Sequence, residues 1–253
     1  MAGIHSVSIV GTGNVAHHLG KAFRDVGISI SDVYGRNSAS SNELANLLNC
    51  SVAPTLNELS GDLILLCVSD NAVIDLASSI SAHRRLAYTS GSVPLSSLPN
   101  RVFCGVFYPL QTFSKHREID VSTVPFLIEG NSEQHESELM QLASKISQHV
   151  LSANSSDRLH YHISAVFVNN FVNHLFSKGK AHVEEHGLDW EVLKPLIFET
   201  IGKISDLDPL EAQTGPAVRK DEQTIERHLK ELEGKSKEIY TLITQSIQQS
   251  TKK

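Results

Sequence analysis

The stretch Ser8-Ile-Val-Gly-Thr-Gly-Asn-Val-Ala-His-His-Leu19 narrows the fold more than any other feature of this chain. An apolar run enters a glycine-rich turn, and a helical pattern leaves it. Gly11 lets the backbone turn sharply out of a strand. Gly13, without a Cβ, lets backbone approach an anion such as a pyrophosphate. Ala16 is small enough for the helix to pack close to the strand. The helix would open with free N–H groups and a partial positive charge aimed at that anion. The spacing G-x-G-x-x-A therefore predicts a dinucleotide cradle built from Gly11, Thr12, Gly13, Asn14, Val15 and Ala16. A strand–helix turn without a ligand shares the local pattern. The strand before it, the helix after it and a second strand at the right distance favour the cradle.

The rest of the first ~150 residues alternates strand-like runs with amphipathic stretches, which predicts a doubly wound, mostly parallel α/β sheet of Rossmann type. Strands are expected at Ile4–Val10, Ile28–Tyr34, Asp62–Val68, Leu86–Thr89, Val102–Tyr108, Phe126–Glu129 and His149–Ser152. Helices are expected at Asn14–Val26, Ser40–Leu48, Asn71–Ile80 and Ser132–Gln148. From Ser155 onward the pattern is helical only: Asp157–Glu185, Trp190–Ser205, Glu222–Leu232 and Lys235–Gln248. This predicts a dinucleotide-binding domain over 1–153 and an all-α domain over 154–253, with Thr251–Lys253 as a frayed tail.

The end of the second strand selects the dinucleotide. An acidic residue there would grip a ribose 2′-hydroxyl. The strand instead ends Tyr34-Gly-Arg-Asn-Ser38, and Asp32 lies too early, inside the strand. Arg36 presents a planar fork of donors suited to a phosphate dianion, and Asn37 and Ser38 add neutral donors. NADP is favoured over NAD; the alternative is that Arg36 is a solvated loop residue. Two further strand ends should line the same crevice: Val68-Ser69-Asp70 and Thr89-Ser90-Gly91-Ser92. Asp70 could instead cap the helix that follows.

Leu159–Ser177 contains no Asp, Glu, Lys or Arg. A surface helix carries charge on its outer face, so this one is expected to be buried nearly all round. At ~100° per residue, Phe167, Phe171, Leu175, Val168, Val172 and Phe176 would cover one side. His162, Asn169 and Asn173 would form a stripe on the other, flanked by Asn170 and His174. Buried amides and imidazoles need partners, either backbone or a polar ligand. Tyr108-Pro-Leu-Gln-Thr-Phe113 could cover the nicotinamide end of the crevice. Thr214-Gly-Pro-Ala-Val-Arg-Lys-Asp221 reads as a turn, with Arg219 as an anion anchor and Asp221 as an N-cap.

Composition bounds what this chain engages. The net charge is −6 with no long basic run, which argues against nucleic acid and anionic membrane. No apolar run approaches the ~18–20 residues needed to span a bilayer. The first strand starts by Ile4, leaving no room for a signal peptide. Cys50, Cys67 and Cys104 are odd in number and widely spaced, which fits reduced thiols in the cytoplasm. His182-Val-Glu-Glu-His186 matches a zinc-protease pattern but precedes a helix stop at Gly187, so no metal is expected.

Together, Gly11–Ala16, Pro109-Leu-Gln-Thr-Phe113, His162–His174 and Thr214-Gly-Pro-Ala-Val-Arg219 resemble the family of NADP oxidoreductases that pairs a Rossmann-like domain with a helical domain of unassigned function. That family is described by analogy with deazaflavin-dependent NADP oxidoreductases and pyrroline-5-carboxylate reductase. The second half is similar to the helical domain of the 6-phosphogluconate dehydrogenase superfamily. The resemblance implies NADP binding, a cleft between domains, and a homodimer through the helical domains. It names no substrate. Many relatives are expected to carry His before the Pro-x-x-x-Phe element, where this chain has Tyr108, a phenol that stays protonated at neutral pH.

The expected activity is hydride transfer to or from a small carbonyl or imine compound. His162 is the expected general acid/base, since imidazole titrates near neutrality. Asn170 and Asn173 would orient the substrate, Tyr108 would donate a hydrogen bond, and Arg219 with Gln111 would hold an anionic tail. The alternative is a non-catalytic NADP-binding redox sensor or scaffold.

Overall fold

In the computed structural model, residues 3–250 are described. The expected frayed end at Thr251–Lys253 lies outside them. The chain forms two compact units, Met1–Asn170 and Phe171–Lys253.

The first unit is built on β1 (Ser6–Val10), α1 (Asn14–Asp25), β2 (Ser29–Tyr34), α2 (Ser38–Leu48), β3 (Ser51–Val52), β4 (Leu63–Leu66), α3 (Asp70–Ser79), β5 (Arg85–Tyr88), β6 (Cys104–Pro109), β7 (Phe126–Gly130), α4 (Glu133–Ser144), β8 (Val150–Ser152) and α5 (Ser155–Ala165). The eight strands run in the order β3-β2-β1-β4-β5-β6-β7-β8. All neighbours are parallel except β6 and β7. The chain winds outward from β1 in both directions, so the switch point lies between β1 and β4. Ligands bind such sheets there, beyond the carboxyl ends of the strands.

β4 shows why the sheet holds. All four of its residues are buried. Leu63 and Leu65 join the core on one face, with Ile9, Leu19 and Phe23. Ile64 and Leu66 join the other, with Val73, Leu86 and Val106. A strand covered on both faces needs a continuous apolar run rather than an alternating one, and "LILL" is such a run. The short β3 escaped the sequence reading because two residues carry no period.

The second unit comprises α6 (Val172–Glu185), a 3₁₀ turn at Trp190–Leu193, α7 (Lys194–Asp206), α8 (Pro216–Arg219), α9 (Glu222–Glu231) and α10 (Gly234–Ser250). α8, α9 and α10 pack on one another. His228 Nδ1 and Tyr240 Oη, 2.7 Å apart, join α9 to α10.

Two expectations for the helical half need correction. The long helix over Asp157–Glu185 is interrupted by a π-helical turn at Val166–Phe171 between α5 and α6. A wider turn shifts the angular phase, so residues before and after it do not share the stripe that ~100° spacing assigned to them. Nor is this segment buried nearly all round: Val168 is 74% exposed, and Phe167, Phe171 and Leu175 are exposed too. An uncharged stretch of helix is not by itself a buried one.

Candidate active site

The glycine turn has the geometry of an anion cradle. Gly11 sits at φ +113°, and a Cβ there would come within 2.1 Å of the Cys67 carbonyl oxygen. The turn therefore lies tight against the end of β4, and only glycine fits. Gly13 is the opposite case: a Cβ there would meet nothing within 4 Å. Its backbone faces open space at the start of α1. Ala16 is buried, which lets α1 lie against the sheet. No side chain caps α1, and its first turn holds no acidic residue. Its leading N–H groups and dipole thus remain available to an anion.

The loop after β6 lies over this helix. The Asn14 side-chain amide donates to the Phe113 carbonyl at 2.8 Å, and His18 Nε2 donates to the Ser114 carbonyl at 3.0 Å. The His18 ring also packs on Phe113, centroids 5.1 Å apart. The end of the Tyr108–Phe113 segment straps the first turns of α1. Burial first, and then the neighbouring Lys21 and Lys115 cations, hold the His17 imidazole below its ordinary pKa.

At the end of β2, Arg36 is exposed and makes no hydrogen bond or ion pair among the described residues. Asn37 is the N-cap of α2, its side-chain oxygen accepting from Ser40 N at 3.0 Å. Ser38 opens that helix. Asp32 is buried and accepts from Ser60 N and Oγ at 2.9 and 2.6 Å. No acid stands at the strand tip to hold a ribose 2′-hydroxyl.

Beyond β4, Val68 is half-buried, and Ser69 occupies the N-cap position of α3 without a side-chain cap bond. Asp70, in the first turn of α3, accepts a hydrogen bond from Ser92 Oγ. Beyond β5, Ser90 Oγ accepts from the backbone of Ser92 and Val93, which folds the loop back on itself. Gly91 at its apex is buried.

Here two distant residues meet. Tyr108 Oη and His162 Nδ1 lie 2.9 Å apart, with the rings edge-on at 72°. Burial, and then the Asp70 carboxylate, push the Tyr108 phenol above its ordinary pKa. The phenol therefore keeps its proton at neutral pH; it donates to Nδ1 or accepts from it according to the His162 tautomer. With the phenol donating, the imidazole proton is on Nε2, the nitrogen that does not face the tyrosine. Gly91 closes the arrangement. A Cβ on it would come 2.7 Å from His162 Nδ1 and 2.8 Å from Tyr108 Cζ. The sequence singled out all three residues but offered no signal that they touch, since 54 residues separate the tyrosine from the histidine.

Gln111 is exposed, its side-chain oxygen accepting from Thr112 N at 2.8 Å. Asn170 is exposed in the π-helical turn that ends the first unit. Asn173 on α6 and Arg219 at the end of α8 belong to the second unit, and both are exposed. Asp221 caps α9, accepting from Thr224 N at 3.1 Å. The His182 and His186 rings lie with centroids 4.6 Å apart, tilted at 51°. Among the described residues no three His, Cys, Asp or Glu side chains gather as a metal site. No helix among them is long and apolar enough to cross a membrane.

Comparison with known proteins bears on this geometry. Residues 6–89 match the family model described as NADP oxidoreductase coenzyme F420-dependent. Residues 124–247 match a domain of unknown function, DUF2520. No curated protein matches significantly. A Bacteroides fragilis protein provisionally assigned as an NADP oxidoreductase, BF3122, shares 33% identity at TM-score 0.88, covering 97% of this chain and 98% of its own. A reductive aminase from Aspergillus terreus, in complex with NADPH and ethyl levulinate, shares 13% identity at TM-score 0.64, covering 80% and 74%. A 1-pyrroline-5-carboxylate reductase from Streptococcus pyogenes shares 12% identity at TM-score 0.61, covering 98% of each chain. At those identities the last two speak for the fold alone.

Proposed function

Since this chain belongs to the NADP oxidoreductases that join an F420-dependent-type cofactor domain to a DUF2520 domain, we propose that it reduces a small carbonyl or imine compound, or oxidises the corresponding product, with NADP as cofactor. The pairing of Tyr108 with His162 over Gly91, in the unit that carries the glycine cradle, supports this reading.

The residues fit the cofactor. Gly11–Ala16 and the leading N–H groups of α1 would hold the diphosphate bridge. Arg36, with Ser38 at the start of α2, would hold the ribose phosphate. Val68, Ser69, Ser90 and Gly91, at the ends of β4 and β5, stand beside the same crevice. Bound NADPH supplies a hydride, and the protein supplies the proton and the orientation. His162 Nε2–H is the donor, and Tyr108 keeps that tautomer by occupying Nδ1. In the reverse direction the same nitrogen takes the proton. Residues 1–153 would serve as the cofactor domain and 154–253 as the substrate and dimerisation region, acting in the cytoplasm.

Cofactor choice tests the reading first. NADPH is expected to stabilise the protein against heat more than NADH. A ligand at a hundredfold excess over its Kd adds ~2.7 kcal/mol. Arg36→Glu should weaken NADPH binding by about 1.5–3 kcal/mol, removing half or more of that gain, and leave the NADH gain unchanged, since a charge-assisted bond is lost and a repulsion added. Equal stabilisation by both cofactors would refute the role of Arg36. Stabilisation by NADPH without turnover of any carbonyl or imine in a substrate panel would favour a redox sensor, a reading that Tyr108 in place of histidine keeps open.

The functional form is a homodimer through the helical half. On α7, Leu196, Phe198, Ile201 and Ile204 are all exposed, Phe198 by 68%. Within its own unit α7 packs chiefly on the Trp190–Leu193 turn. Exposed apolar surface on this scale marks an association face, and a second copy related by a two-fold axis is the commonest partner. Sedimentation at micromolar concentration should give twice the chain mass. Phe198→Glu should shift it toward the monomer, and a monomeric wild type would rule the dimer out.

A further inference from the structure

Arg158 is a buried arginine that the cofactor cradle does not use. It lies in the first turn of α5, one helical turn before His162, and is fully buried. Its Nη1 pairs with the Glu129 carboxylate on β7. Its Nη2 donates to the Val93 carbonyl at 2.7 Å and lies 3.3 Å from Ser155 Oγ. Ser155 completes the cluster: its hydroxyl lies 2.8 Å from Glu129 Oε2, and it accepts from Leu95 N at 3.0 Å. Tyr88 Oη donates to the same Val93 carbonyl at 3.0 Å.

One guanidinium thus ties three pieces of chain together. β7 supplies the carboxylate, the loop after β5 supplies the Val93 carbonyl, and α5 carries the arginine; Leu95 N joins the same loop to α5 through Ser155 Oγ. Two of these pieces carry the reacting cluster. Gly91 stands two residues before Val93 in the loop, and His162 stands four residues after Arg158 on the same face of α5. A buried ion pair is a poor source of net stability, because desolvation cancels most of the attraction. Its best-attested use is to fix register.

We propose that Arg158, held by Glu129, is a positioning residue that sets His162 against Gly91 and so delivers His162 Nδ1 to the Tyr108 hydroxyl. It touches neither Tyr108 nor His162 through a hydrogen bond. It acts by fixing where the loop that carries Gly91 meets α5, which carries His162. This rests on the reading of His162 as proton donor, but the contact it predicts is measurable without any substrate.

The test is long-range proton–nitrogen NMR of the histidine rings in the full-length protein. In wild type, His162 should show a single tautomer, with Nδ1 unprotonated and Nε2 protonated. Arg158→Lys keeps the charge but loses the fork, and Glu129→Gln keeps the shape but loses the charge. Each should move both His162 nitrogens toward the averaged values of an imidazole exchanging between tautomers. Arg101→Lys is the control. Arg101 is likewise buried and donates to the Ala77, Ile80 and Ser81 carbonyls, away from this cluster. It should leave His162 unchanged even where it lowers Tm. Should Arg158→Lys fail to fold, Glu129→Gln carries the same expectation alone. A wild-type pattern in the folded variants, or an equal disturbance by Arg101→Lys, would overturn the proposal. NADPH stabilisation of wild type is recorded in parallel: its loss would count against the cofactor reading and leave the ring signals to decide the clamp.

Discussion

Gly13→Asp abolishes stabilisation by NADPH while leaving the Tm of the free protein within a degree or two of wild type. The two glycines of the turn carry different duties, and this substitution separates them. At Gly13 the added atoms meet open space, so the free protein has nothing to rearrange. The carboxylate would occupy the region at the start of α1 where the N–H groups attract an anion, and would repel the diphosphate bridge. The ~2.7 kcal/mol that NADPH confers at a hundredfold excess should fall to near zero. Gly11→Ala behaves in the opposite way. Its φ of +113° is strained for any residue with a Cβ, and that Cβ would sit 2.1 Å from the backbone oxygen of Cys67. Backbone cannot yield as a side chain does, so about 3 kcal/mol or more should be lost from the free protein. That is a large share of the ~5–15 kcal/mol typical of a domain. Thermal unfolding of both variants, with and without NADPH, checks both statements. A Gly13→Asp protein that NADPH stabilises as well as wild type would remove the cradle from this part of the fold.

The second large effect falls on turnover. Gly91→Ala should reduce kcat by about 10²-fold, within the 10²–10⁴-fold that a positioned acid or base contributes. Stabilisation by NADPH should be largely retained. An alanine methyl would lie 2.7 Å from His162 Nδ1 and 2.9 Å from His162 Cγ, so the ring must move and its bond to Tyr108 must lengthen. Tyr108→Phe removes the same bond from the other side and should produce a similar loss. The double variant should be little worse than either single one, because residues that act as one unit are not additive. Stopped-flow measurement with whichever carbonyl or imine the substrate panel yields checks this. Full turnover by both single variants would free His162 from any dependence on the tyrosine.

Local pattern made the cradle legible. Gly11, Gly13 and Ala16 do their work within one turn of chain, and their roles follow from the missing or small side chains themselves. The absence of an acid at the tip of β2 was equally plain, because Asp32 falls two residues before Tyr34, where β2 ends, and turns to Ser60. The uncharged segment Leu159–Ser177 misled the reading. Its lack of charge predicts a buried helix, yet Val168, Phe167 and Phe171 are exposed. The π-helical turn at Val166–Phe171 also broke the phase on which the asparagine stripe depended.

By itself the chain's order of residues determined the glycine turn, the strand–helix alternation and the change to helices near Ser155. All three depend on neighbours within a few residues, where sterics and hydrogen bonding act directly. Only tertiary structure decided that Tyr108 meets His162, that Gly91 must lack a Cβ, and that Arg158 joins the Gly91 loop to α5. Those contacts join residues up to 71 positions apart (162 − 91), brought together by the winding of the sheet. No period or spacing in the sequence encodes a distance between the ends of separate strands.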